Sequence, residues 1–137
     1  MDLNKFISSL NESVFVIDAA GKIVNCNVKF KHQYKFVDVN DLYIQSIILD
    51  PAKIDEERKE CCREGVDFCT CFTQEVSIID GNSNITPSVL VMIKTCMNNE
   101  NLFICIAHKK EEYNNIEQLD RINLRSKTLL KRLHVMR

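Results

Sequence analysis

The chain has 137 residues, with 18 Lys and Arg against 19 Asp and Glu and 45% apolar residues, the proportions of one ordinary globular domain. A domain of this size buries roughly 68% of its unfolded surface, enough for a hydrophobic core without disulfide or metal staples. A formal net charge of −1 excludes a globally basic nucleic-acid binder and a polyacidic tail.

The start, Met1-Asp2-Leu3-Asn4-Lys5, has no long apolar stretch behind a basic segment, and no apolar run is longer than the six residues Leu102 to Ala107. Neither a signal peptide nor a membrane span is expected. Seven cysteines without a secretion signal suggest reduced thiols in a cytoplasmic setting.

Leu3, Phe6, Ile7 and Leu10 follow the i, i+3, i+4, i+7 spacing of an amphipathic helix over 1–10, with Asp2 as its cap. Ser13 to Asp18 is β-branched and aromatic, Ala19-Ala20-Gly21 can turn, and Lys22 to Asn27 resumes a strand, which together read as a hairpin. The irregular apolar spacing from Val28 to Ser46 predicts short helical turns. Asp50-Pro51 opens a charge-rich helix over Ala52 to Glu64, and Gly65 closes it. Three strands follow, Val66 to Ile79, Ile85 to Cys96 and Leu102 to Ala107, separated by polar turns. They predict an antiparallel meander.

Lys109 to Asn115 is a polar junction, and from there to Arg137 nothing breaks a helix. Leu119, Ile122, Ser126, Leu129, Leu133 and Met136 are spaced as a heptad seam with one polar position. About 25 residues of helix span nearly 37 Å, longer than the sheet it could cover, so part of it is expected to project and pair. Its charges are polarised, with Glu111, Glu112, Glu117 and Asp120 ahead of Arg121, Arg125, Lys127, Lys131, Arg132 and Arg137. The helix dipole favours that arrangement. A basic amphipathic helix can instead bind calmodulin, an acidic membrane surface or nucleic acid.

The order of elements, with Val14-Phe-Val-Ile-Asp18-Ala-Ala-Gly21-Lys-Ile23-Val-Asn-Cys-Asn27, Leu42 to Ile47 and the Asp80-Gly81 turn, resembles the PAS sensor domain family. Gly21 permits the positive φ of the turn, and Asn27 can cap the next helix. The resemblance covers about residues 10 to 108. It implies an α+β fold, a five-stranded antiparallel sheet with small helices on one face, an N-terminal amphipathic helix and a long C-terminal helix. The organisation expected is 1–10 as N-terminal helix, 11–108 as PAS domain and 109–137 as a coiled-coil-like signalling helix. Where the family commonly carries Asp-Ile-Thr, this chain has Ala107-His108-Lys109-Lys110.

Cys26 ends the second strand, whereas the reactive Cys of flavin-binding LOV domains sits on a later helix. Heme PAS domains use a His on the helix before the meander, and 52–64 has none; the histidines are His32, His108 and His134. Flavin and heme are therefore not expected. The adjacent pair Cys61 and Cys62 does not chelate easily, and Cys69 and Cys71 would share a strand face. No metal site follows, and no catalytic triad or phosphate loop is present, so an enzyme is not expected. The family's ligand-facing pattern implies Phe15, Ile17, Phe103, Cys105 and Ala107 as pocket candidates. Leu3, Phe6, Ile7, Leu10, Leu119, Ile122, Leu129, Leu133 and Met136 are the dimer-interface candidates. The expected role is a non-catalytic regulatory module of a larger signalling protein, homodimeric and coupled to an output domain. A small-molecule sensor with an apolar pocket is the alternative.

Overall fold

The computed structural model describes residues 3–63, 68–97, 99–110 and 128, with backbone alone at 62–63, 68–72 and 97. The chain runs α1 (Leu3–Ser8), β1 (Ser13–Asp18), β2 (Ile23–Cys26), α2 (Val28–Gln33), α3 (Ile44–Ile47), α4 (Ala52–Arg63), β3 (Phe68–Ile79), β4 (Ile85–Met97) and β5 (Glu100–Lys109). The five strands form one antiparallel sheet in the order β2-β1-β5-β4-β3. The first and last strands thus meet at its centre.

Local chemistry sets the turns. Asp18 Oδ1 accepts hydrogen bonds from the amides of Ala20 (3.0 Å) and Lys22 (2.9 Å), and Gly21 has φ +93°, the left-handed region glycine tolerates best. In the β3–β4 hairpin, Asp80 Oδ1 accepts from the amides of Asn82 and Asn84, each at 2.9 Å. That hairpin tip docks on the end of α2, where the Gly81 amide donates to the Tyr34 carbonyl at 2.9 Å.

Strand alternation divides the core in two. Facing α2, α3 and α4 is a cluster that includes Phe15, Ile17, Phe30, Tyr34, Ile44, Ile54, Ile78, Leu90, Met92, Phe103 and Cys105. On the outer face, Val14, Val16, Val89, Val91, Ile93, Ile104 and Ile106 pack with Phe6, Ile7 and Leu10.

Asn27 joins the two layers. Its Oδ1 accepts from the amides of Phe30 (3.0 Å) and Val14 (3.1 Å), and its Nδ2 donates to the carbonyls of Ile7 (3.0 Å) and Glu12 (2.8 Å). The expected cap of α2 therefore also ties the end of α1 to β1.

The bounds of β5 differ from expectation. β5 extends beyond 102–107 at both ends because β4 offers it partners from Ser88 to Met97. The expected cap Asp2 and the helix stop Gly65 lie outside the described residues. In β3 a register shift between Thr70 and Phe72 falls at Cys71. Such a bulge interrupts the two-residue period, and the side chains of Cys69 and Cys71 lie outside the described residues. Among the described residues no helix is long and apolar enough to cross a membrane.

Candidate functional site

The layer between the inner sheet face and α2–α4 is where the fold concentrates its unusual side chains. All five pocket candidates, Phe15, Ile17, Phe103, Cys105 and Ala107, lie together there, each at most 1% exposed. β1 and β5 bring them into register, with Phe15 opposite Cys105 and Ile17 opposite Phe103. Phe15 stacks at a tilt on Phe30 with ring centroids 4.7 Å apart, and Phe30 continues to Tyr34 and Phe36. An aromatic row on α2 and its exit thus crosses the sheet. The Tyr34 hydroxyl lies 2.8 Å from Ser88 Oγ, which satisfies both buried groups.

Two cations enter this apolar layer. Arg58 of α4 donates from Nε to the Ala19 carbonyl at 3.0 Å and pairs through Nη1 with Asp55 at 2.8 Å. Lys94 of β4 donates to the Cys61 carbonyl at 2.7 Å. Both are buried. The sequence reading did not single them out, although the pattern contained them. Lys94 continues the inward series Leu90, Met92 at the strand period, and Arg58 stands one helical turn beyond Ile54.

The thiols divide by burial. Desolvation drives the Cys105 pKa far above the usual thiol range, against a lesser opposing pull from Arg58, so Cys105 stays protonated and inert. Burial also raises Cys26, with Lys31 opposing and Asp38 adding to the shift. Among the described residues no three His, Cys, Asp or Glu side chains are placed to hold a metal ion; the side chains of Cys62, Cys69 and Cys71 lie outside that set.

The N-terminal interface candidates are corrected by the structure. Phe6, Ile7 and Leu10 are buried on this chain's own outer sheet face, with the half-buried Leu3 beside them. An apolar sheet face requires cover, and α1 is the neighbouring amphipathic element, so the stripe is not open to a partner. Leu119, Ile122, Leu129, Leu133 and Met136 lie outside the described residues.

At the end of β5, His108 lines a polar cleft of about 240 Å³ with Asn11, Glu12, Ser13, Lys29, Gln33 and Ala107. There the Ser13 hydroxyl donates to Gln33 Oε1, and the Lys29 ammonium to the Asn11 carbonyl. Burial, assisted by Lys29, lowers the His108 pKa to about 4. In the unfolded chain the imidazole protonates near pH 6.5. Between those values the unfolded state holds more protons, so stability should fall as pH drops from about 6.5 to 4, approaching about 1.4 kcal/mol per pH unit for this group. Above pH 7 its contribution is constant. Urea midpoints at pH 7 and pH 5 test this, since His108→Leu should flatten the difference.

No protein-family model matches the chain, and no curated protein matches its sequence. Solved structures do match its shape. It is similar to the PAS domain of an HTR-like protein from Haloarcula marismortui, with a TM-score of 0.64 and 14% identity over 78% of this chain and 88% of that one. A PAS domain from a two-component sensor histidine kinase gives 0.64 and 12% over 78% and 92%. The PAS domain of nitrogen regulation protein NR(II) from Vibrio parahaemolyticus gives 0.57 and 10% over 80% and 99%. At such identities the agreement is one of architecture: this chain has the PAS fold.

Proposed function

We propose that the chain is a non-catalytic sensory and regulatory module of a larger cytoplasmic signalling protein, which dimerises through residues 111–137 and passes a signal to an output domain. The observation that carries this reading is the position of β5. Phe103, Cys105 and Ala107 belong to the helix-side cluster, and the same strand ends at Lys109, two residues before the C-terminal segment begins. A change in how α2–α4 pack on the sheet therefore has a covalent route to the seam from Leu119 to Met136. A signal acts by favouring one of two packings, and the seam converts that bias into association. The solved PAS domain from a sensor histidine kinase lends support by its context.

Sedimentation of residues 1–137 at tens of micromolar tests the proposal. The expected result is a dimer that Leu129→Glu with Leu133→Glu converts to a monomer with unchanged strand content. A wild-type monomer at that concentration overturns it.

A further inference from the structure

Cysteine is concentrated where α4 gives way to β3. Of the seven in the chain, Cys61 and Cys62 stand in the last turn of α4, and Cys69 and Cys71 in the first residues of β3. Residues 64–67 alone lie between the two elements, so connectivity keeps these ends within a short reach of each other.

Lys94 brings two of the four cysteines to one place. Its side chain is buried, and its ammonium donates to the Cys61 carbonyl at 2.7 Å. In the sheet the β3 residue opposite Lys94 is Cys69, and opposed residues of an antiparallel pair have Cα atoms about 4.5 to 5.5 Å apart. The lysine side chain thus runs from the register position of Cys69 to the last turn of α4. Cys61 is half-buried at the margin of the helix-side cluster and is not in a disulfide. Unlike the fully buried Cys105, it is partly open to solvent. An ammonium beside a cysteine favours the thiolate, which is the nucleophile of thiol–disulfide exchange.

We propose that Cys61 and Cys69 form a redox-active dithiol site whose oxidant is a low-molecular-weight disulfide, with Lys94 as its positioning residue. The Cys61 thiolate attacks one sulfur of the small disulfide, which forms a mixed disulfide and expels one thiolate. Cys69 then attacks the Cys61 sulfur, which closes the protein disulfide and expels the second thiolate. The reagent gains two electrons, and the protons of the two cysteines pass through solvent to its two thiols. The bridge ties the end of α4 to the start of β3. The site rests on α4, β3 and β4 alone and does not depend on the sensory reading above.

Incubation of the reduced full chain with oxidised glutathione at neutral pH, followed by an acid quench and tryptic mass spectrometry, tests this. Trypsin cleaves at Arg63, between the two cysteine pairs. The expected product is lighter by two hydrogens and shows residues 60–63 linked to residues 64–94. The link is lost in Cys61→Ser and in Cys69→Ser and kept in Cys62→Ser and in Cys71→Ser, with circular dichroism confirming that each variant folds. Lys94→Met is expected to slow the reaction by about threefold or more, because a cation's gain in thiolate fraction outweighs its cost in nucleophilicity by about that factor per pKa unit. A disulfide bridges Cα atoms no more than about 6.8 Å apart, so a glutathione adduct on Cys61 that never closes overturns the proposal. A bridge to any other cysteine, or oxidation of Lys94→Met at the wild-type rate, overturns it as well.

Discussion

Phe15→Ala is expected to lower the free energy of unfolding by about 3 to 5 kcal/mol, the range for deleting a buried aromatic ring. Phe15 has no exposed surface, sits on a central strand between β2 and β5, and meets the Phe30 ring. Its loss opens a void bounded by Phe30 of α2 and Cys105 of β5. Strands on both sides restrain the backbone, so the void cannot close by a local shift. Urea unfolding followed by circular dichroism reads the change. A variant within 1 kcal/mol of wild type, as surface substitutions commonly are, would show that Phe15 is not part of a tightly packed interior.

Gly81→Ala should cost about as much, for a different reason. A methyl group built on Gly81 meets the Lys35 carbonyl oxygen at 1.8 Å and its carbon at 2.6 Å. Those atoms are backbone, and Lys35 already holds φ at +60° at the exit from α2, so little freedom remains to move aside. Relief requires the hairpin tip to lift, which breaks the Gly81 to Tyr34 hydrogen bond and loosens the Asp80 turn. A loss of about 4 kcal/mol is expected, at the upper end of single-residue effects. Thermal unfolding measures it, and an unchanged midpoint would mean that the hairpin does not rest on α2.

What could be read in advance followed from local chemistry. The Val14–Ile17 strand, the Gly21 turn, the Asn27 cap and the Asp80-Gly81 hairpin each depend on residues within a few positions of one another, and each is present. The inward placement of Phe15 and Phe103 depended on strand period together with the family pattern. Relations between distant parts were harder to read. The stripe Leu3, Phe6, Ile7, Leu10 was legible as amphipathic, but its periodicity does not say whether the chain's own sheet or another molecule covers it. The outer face formed by Val14, Val16, Val89, Val91, Ile93, Ile104 and Ile106 decides that, and it exists only once β1 and β4 lie on either side of β5. The burial of Lys94 and Arg58 was obscured because a charged side chain ordinarily marks a solvated position. Among the described residues, the meeting of β4 with the end of α4 gives the Lys94 ammonium its acceptor.

The pairing of β1 with β5 also fixes how the domain responds to tension. Ser13 lies opposite Ala107, and Asp18 opposite Leu102, so the chain enters β1 and leaves β5 at the same end of an antiparallel pair. A pull applied at residues 12 and 108 loads the hydrogen bonds one after another, beginning with the pair nearest the ends, instead of shearing all of them together. Strands loaded in this way open like a zipper. Because this pair lies at the middle of the sheet, its opening splits the sheet between a β2–β1 piece and a β5–β4–β3 piece and separates Phe15 from Cys105. Traction between the segments before Ser13 and after Lys109 therefore acts first on the interior of the domain.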